Sequence, residues 1–170
     1  MNLPRQSADP IPVDTTRDAD GRLVGLTINH GLGATAASSN TWLVAVDGSE
    51  YSQNAVAEAI RFATKMKDCT LHVVNVQHWL SKEAAELELM NQGLAATDGT
   101  RALLDEAGLP WRLHIVMGEA ADSIVALADK LGCHGIVIGS RGLGAAVNLL
   151  IGSVAYKVIH MSRIAVLVVR

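Results

Sequence analysis

The chain has 170 residues, of which 49% are hydrophobic and only 4% aromatic, and its formal net charge at pH 7 is -3. This length favours one domain, whose core must be built from Ala, Val, Leu and Ile. The charges are interspersed without a basic stripe, and no apolar stretch is long enough to cross a bilayer, so we expect neither a nucleic-acid partner nor a membrane span.

The first forty residues differ in composition from the rest. Three prolines and a cluster of Asp and Arg near the start are poor material for a helix, a strand or the apolar core of a signal peptide, so we expect a cytoplasmic protein. Arg22–Ile28 is compatible with a short strand, and residues 31–40 have linker composition. Residues 1–40 are therefore predicted to be an N-terminal extension, either flexible or packed on a dimer, before a domain at residues 41–170.

From residue 41 onward, apolar strand-like runs alternate with helical patterns. Strands are predicted at Thr41–Val46, Thr70–Val76, Trp111–Val116, Gly135–Ile138 and Ile164–Val169. Helices are predicted at Ser52–Lys67, Ser81–Ala107, Glu119–Leu131 and Val154–His160, with Gly93 as a candidate break in the second. Repeated strand–helix units of this kind predict an α/β fold with three layers, in which helices cover both faces of an open, parallel, five-stranded sheet.

A glycine-rich loop follows the fourth predicted strand. Gly139-Ser140-Arg141-Gly142 comes first, and after nine more residues Gly152-Ser153 opens the last helix. Glycines leave backbone N–H groups accessible, and a helix N-terminus adds unpaired donors with a partial positive charge. The spacing predicts two phosphate contacts from one loop, with backbone groups of Ser140 and Val154 contributing. Ordinary loop glycines, a plain N-cap at Ser153 and a solvent-facing Arg141 are the alternative interpretations.

Asp47 follows the first predicted strand, within Asp47-Gly48-Ser49. A carboxylate at this place can accept hydrogen bonds from ribose hydroxyls or help to hold a metal on phosphates. It can also cap the helix that follows, because Asp and Ser are favoured N-cap residues. The two roles are compatible with each other.

The complete pattern, Gly-x2-Gly-x9-Gly-Ser after a strand, resembles the ATP-binding signature of the universal stress protein family, and the resemblance extends from about Thr41 to Arg170. It implies a Rossmann-like sheet of the adenine nucleotide alpha-hydrolase type with strand order 3-2-1-4-5. Ligands of such sheets bind at the switch point, here between the strands that end at Asp47 and Gly139. The resemblance also implies that the backbone of Val73 reads the adenine edge, although from sequence alone Val73 is simply a core strand residue.

The ligand implied by the resemblance is ATP, together with Mg²⁺ that Asp47 could reach through the phosphates. Family members commonly dimerise by antiparallel pairing of the last strand, here Ala165–Val169, whose apolar edge invites pairing. The implied function is a nucleotide-dependent regulatory role in a stress response. No P-loop, catalytic base or metal-like His or Cys spacing is present, so no catalytic residue is predicted. Slow Mg-dependent ATP hydrolysis or phosphotransfer, and an interaction module without nucleotide, are the alternatives.

Overall fold

The computed structural model describes residues 12–31, 39–144 and 150–170, which form seven strands and five helices. The strands are β1 (Asp14–Arg17), β2 (Leu23–His30), β3 (Asn40–Ala45), β4 (Cys69–Gln77), β5 (Trp111–Met117), β6 (Gly135–Gly139) and β7 (Ala165–Val169). The helices are α1 (Glu50–Ala63), α2 (Lys82–Ala96), α3 (Asp98–Glu106), α4 (Ala120–Leu131) and α5 (Ser153–Met161). Among these described residues, no helix combines the length and apolar character needed to cross a bilayer.

One mixed sheet of seven strands runs through the molecule in the order β1-β2-β5-β4-β3-β6-β7. The α/β class is confirmed, but the prediction of a fully parallel sheet of five strands is wrong, and the order of the whole sheet differs accordingly. The additional strands β1 and β2 pair antiparallel at one side. The five mutually parallel strands follow one another as β5-β4-β3-β6-β7, which is 3-2-1-4-5 when only those five are counted.

The hairpin of β1 and β2 lies inside the region predicted to be an extension. Leu23, Leu26 and Ile28 are buried in the main hydrophobic cluster, so β2 is an integral strand of the sheet. Its local pattern of apolar and β-compatible residues predicted a strand here, and that prediction is confirmed. What local pattern could not supply is the partner, because β2 pairs with β5, more than eighty residues later in the chain. Residues 1–11 and 32–38 lie outside the described residues.

Side chains of the hairpin also contact the segment between β4 and α2. Arg17 forms an ion pair with Glu86 of α2. Arg22 donates to the carbonyl of Leu80 at 3.3 Å, and its guanidinium lies 5.7 Å from the centre of the Trp79 ring. The hairpin thus holds the loop that leaves the carboxyl end of β4.

Two hydrophobic clusters cover the two faces of the sheet. One contains buried residues of α1, α2 and α3, and the other contains buried residues of α4 and α5. The second predicted helix is in fact two, and the break lies at Thr97, whose hydroxyl donates to the Gly93 carbonyl at 2.8 Å. Gly93 itself is helical. A Cβ there would lie 2.5 Å from Ile115, so glycine allows α2 to approach β5 closely.

Two histidines form a buried pair on the face that carries α4. His72 Nδ1 lies 2.8 Å from His114 Nε2, and His114 Nδ1 lies 3.1 Å from the Thr27 hydroxyl. Burial lowers the pKa of His72 to about 4 and that of His114 to about 3, and the nearby Arg112 acts in the same direction. Protonation of both rings would also set two N–H groups against each other along the 2.8 Å contact.

This pair predicts a loss of stability in mild acid. An unfolded histidine has a pKa near 6.5, so the unfolded chain takes up protons first as the pH falls. The neutral pair contributes fully to the free energy of unfolding above pH 6.5, and this contribution is lost progressively toward pH 4. At pH 5 the loss is roughly 2 kcal/mol per ring. Urea denaturation at pH 7.5, 6 and 5 measures this dependence. A double variant, His72→Gln with His114→Gln, should show a clearly shallower slope than the wild type, whereas the exposed His160→Gln should not. Equal slopes for the double variant and the wild type would show that the buried histidine pair does not cause the pH dependence.

Candidate functional site

A cavity of about 840 Å³ opens at the carboxyl ends of β3, β4 and β6. β3 and β6 are neighbours in the sheet, and the helices that follow them, α1 and α5, pack on opposite faces. Such a switch point leaves a crevice outside the strand ends. The polar and loop residues that line it are Asp47, Ser52, Asn75, Gln77, His78, Gln92, Gly139, Arg141, Gly142, Gly144, Gly152 and Ser153. Its apolar walls include Ala95 and Ala96 of α2 and Ala120 and Ile124 of α4.

The Asp47 carboxylate joins the two loops of the crevice. Its Oδ1 accepts from the Ser49 N–H at 3.0 Å, and its Oδ2 accepts from the Leu143 N–H at 2.9 Å. The N-cap of α1 is Ser49, whose Oγ accepts from the Ser52 N–H at 3.2 Å, so the capping role falls to Ser49 rather than to Asp47. Asp47 therefore connects the loop after β3 to the loop after β6.

Gly142 lies directly against this carboxylate. A Cβ on Gly142 would be 2.5 Å from Asp47 Oδ2, closer than non-bonded atoms approach. The two ends of the glycine-rich segment are also joined, because the Gly152 N–H donates to the Ser140 carbonyl at 2.7 Å. The Ser140 N–H in turn donates to the carbonyl of Val169 in β7 at 2.6 Å. The nine residues between Gly142 and Gly152 include 145–149, which lie outside the described residues.

The N-terminus of α5 forms part of the cavity wall. Its N-cap is Gly152, so Ser153 is the first helical residue and not the N-cap, and no side chain of the described residues caps this end. The first intrahelical bond at this end runs from the Tyr156 N–H to the Gly152 carbonyl at 3.0 Å. The N–H groups of residues 153–155 precede that bond and carry the positive end of the helix dipole. Arg141 adds a positive charge to the lining, with its guanidinium 5.4 Å from the centre of the Tyr51 ring.

The end of β4 supplies a different kind of surface. The Val46 N–H donates to the Val74 carbonyl at 2.9 Å, and the Gly118 N–H donates to the Gln77 carbonyl at 3.1 Å. Successive residues of a strand turn their N–H and C=O to opposite sides, so even-numbered residues of β4 face β3 and odd-numbered ones face β5. Val76 therefore turns its N–H and C=O toward the β3 side, where β3 has already ended at Ala45.

Most of the site residues predicted from sequence come together here. Seven line the cavity: Asp47, Gly139, Arg141, Gly142, Gly152, Ser153 and Val154. Ser140 and Val73 do not line it, and their side chains are 2% and 1% exposed. Val73 is odd-numbered, so its backbone groups face β5 inside the sheet, four residues before the strand ends at Gln77.

Sequence reasoning missed the residues at the carboxyl end of β4, from Asn75 to His78, and those contributed by α2 and α4. The first group had a signal, since the carboxyl ends of parallel strands lie at one edge of a sheet and Asp47 and Gly139 already marked that edge. Ala95, Ala96 and Ile124 had none, because their place in the lining depends on how two helices pack over the sheet.

Comparisons with known proteins agree on one family. The universal stress protein family profile matches residues 40–170. The chain is similar to universal stress protein YxiE of Bacillus subtilis (strain 168), with 28% identity over 149 residues, 77% of this chain and 99% of that protein. It is similar to a universal stress protein solved in complex with cAMP, with 27% identity and a TM-score of 0.61 over 79% of this chain and 99% of the other. The universal stress protein of Archaeoglobus fulgidus in complex with dAMP is 22% identical, with a TM-score of 0.59 over 79% of this chain and 100% of that one, a likeness that shows the fold.

Substitution of Gly142 tests the contact with Asp47. In Gly142→Ala the new methyl group must displace the carboxylate, which loses its bond to Leu143, and we expect a stability loss of about 1–3 kcal/mol in urea denaturation. Gly144→Ala is the matched control, because no atom of the described residues lies within 4 Å of a Cβ at that position. It should cost less than about 0.5 kcal/mol. Equal stabilities of the two variants would contradict the described contact.

Proposed function

The chain belongs to the universal stress protein family, and we propose that its cavity binds an adenine nucleotide, with ATP as the ligand that uses its full length. The observation that carries this proposal is the pairing of two complementary ends in one cavity. Backbone donor and acceptor groups of Val76 lie at the end of β4, and the uncapped N-terminus of α5 lies at another wall.

The Val76 end fits the base. Adenine presents a donor at its 6-amino group beside an acceptor at N1, and one residue that offers both a C=O and an N–H matches that pair. Ala95, Ala96 and Ile124 supply apolar walls of the kind that a flat ring requires. We therefore assign to Val76 the reading of the adenine edge that the resemblance had implied for Val73.

The α5 end fits the phosphates. Bare N–H groups at a helix N-terminus bind phosphate oxygens, and Gly142 and Gly152 allow the backbone to come close. Arg141 adds charge attraction at the same wall. Within the described part of the chain, Asp47 is the carboxylate of the lining, so it is our candidate contact for a ribose hydroxyl or for Mg²⁺ bound to the phosphates. The complex of a similar protein with cAMP supports an adenine nucleotide as the ligand class.

A nucleotide in this cavity would connect segments that are far apart in the chain. It would contact the loop after β3, the end of β4 and the start of α5, and binding to the native arrangement stabilises that arrangement. Because only three residues separate α5 from β7, this coupling would pass to the edge of the sheet. We propose on this basis a regulatory role, of the stress-response type that the resemblance implied, in which the bound nucleotide changes the protein's association or partners.

The edge at β7 is our proposed homodimer contact. β7 ends the sheet on its side, and its sequence Ala-Val-Leu-Val-Val is apolar with partly exposed side chains. On the adjacent surface Tyr156 and Ile159 of α5 are 56% and 38% exposed. Antiparallel pairing of two β7 strands would satisfy the free backbone groups of both edges and cover part of this surface.

A negative charge at the start of α5 tests the phosphate end. In Ser153→Asp the carboxylate should repel a phosphate but favour the helix dipole, so we expect at least about tenfold weaker ATP binding with no loss of melting temperature. Adenosine binding should change less than about twofold, because adenosine lacks the phosphates. Calorimetric titrations of the wild type, Ser153→Asp and the uncharged control Ser153→Asn provide the comparison. Equal ATP affinity in all three proteins would rule out a phosphate site at the start of α5. A wild type that binds no adenine nucleotide would overturn the proposed function.

A charge on β7 tests the dimer. Leu167 is 38% exposed, and Leu167→Asp should place a desolvated carboxylate in the proposed interface, shifting the mass measured by light scattering after gel filtration from two chains to one. Thr15→Asp on the opposite edge strand β1 is the control and should leave the mass unchanged. A wild type that is monomeric at high micromolar concentration would contradict this contact.

A further inference from the structure

Asn75 is a polar side chain at the end of an otherwise apolar stretch of β4, and it is only 2% exposed. Its Nδ2 donates to the Val46 carbonyl at 2.9 Å. Its Oδ1 accepts from Gln77 Nε2 at 2.6 Å. The orientation of the amide is fixed by the first bond, because a carbonyl oxygen can only accept. Both polar atoms of this buried side chain therefore have partners.

The bond to Val46 replaces a bond of the sheet. Val46 donates its N–H to Val74, so in a continuing parallel ladder its carbonyl would accept from the N–H two residues further on, at Val76. Instead the side chain of Asn75 occupies that carbonyl, and the register of β3 with β4 ends at the pair Ala45 and Val74. The two strands separate at this point, immediately before Asp47 and the cavity.

We propose that Asn75 is a positioning residue for base recognition, whose amide takes the place of the Val76 N–H at the Val46 carbonyl and so leaves the N–H and C=O of Val76 available to the ligand. This inference rests on the proposed function, because it concerns the residue assigned above to the adenine edge. Gln77 supports the arrangement by holding the Oδ1 of Asn75.

The consequence is selectivity between purine bases. An adenine edge carries a donor at C6 and an acceptor at N1, whereas a guanine edge carries an acceptor and a donor in the same places. When the N–H and C=O of Val76 are held in one fixed orientation and left available, they complement the adenine edge. The same two groups face a donor and an acceptor of the wrong kind on the guanine edge. When its N–H turns back to Val46, the discrimination is lost while the phosphate end of the cavity, at α5, is unaffected.

The central experiment compares Asn75→Leu, which is close in size but has no donor, with the wild type. Affinities for ATP, GTP and inorganic tripolyphosphate are measured by calorimetry. We expect the preference for ATP over GTP to fall at least about tenfold in Asn75→Leu, and the affinity for tripolyphosphate to change less than about twofold. Asn29→Leu is the matched control. Asn29 is an asparagine of β2 that bonds Arg112 at 2.7 Å and does not line the cavity, so its substitution should leave the preference unchanged.

An unchanged preference in Asn75→Leu, or a parallel loss of affinity for ATP and tripolyphosphate, would overturn the positioning role. A wild type that binds tripolyphosphate but shows no preference between ATP and GTP would instead overturn the base reading at Val76. The milder Gln77→Leu, which keeps the bond between Asn75 and Val46, should reduce the preference by about threefold and serves if Asn75→Leu does not fold.

Amide hydrogen exchange tests the same inference without any ligand. In the free wild-type protein the Val76 N–H should exchange at least about 100-fold faster than the Val74 N–H, since only the second belongs to the β3–β4 ladder. Equal protection of the two amides would show that Val76 is paired and would overturn the proposal, whatever the protein binds.

Discussion

The hydrogen bonds of the Asp47 carboxylate hold together the part of the molecule on which the site depends. β3 and β6 end side by side, and the chain leaves them toward opposite faces of the sheet, so nothing in the sheet itself fixes one loop against the other. Asp47 supplies that connection through two backbone N–H groups, one on each loop. The absence of a side chain at Gly142 makes the approach possible. The shape of the crevice therefore follows from one carboxylate and one bare backbone position.

The sequence was sufficient for those parts of the structure that local pattern determines. The five parallel strands follow from short apolar runs separated by helical stretches, and the glycine loop and Asp47 follow from their positions at strand ends. The pairing of β2 with β5 could not be predicted from the sequence, because nothing in either segment specifies a partner so distant in the chain. The helix break at Thr97 was also missed. A glycine in a helical pattern fits either a break or a close contact between helix and sheet, and Gly93 makes the contact.

Val73 and Val76 show how finely a site depends on register. Both are valines of one strand, three residues apart, and nothing in their local sequence separates them. The alternation of backbone bonds separates them completely, because Val73 faces β5 within the sheet and Val76 faces the open end beyond β3. A strand predicted from an apolar pattern has a direction and approximate ends. The pattern does not tell which residues turn their backbone N–H and C=O toward which neighbouring strand. The pairing of the backbone groups, and not the local sequence, therefore assigns the role at the adenine edge to Val76.

The N-terminal hairpin has a consequence for how copies of this chain can associate. It places β1 at one border of the sheet. All four residues of β1 are exposed, and they include Asp14 and Arg17. Short, charged border strands resist the addition of another chain. In the homodimer proposed above, the opposite border, β7, is the one that pairs, and two such borders joined about a twofold axis would cover each other completely. Such an assembly would close after a single step, so the proposed dimer would form without the open-ended growth that leads to fibres.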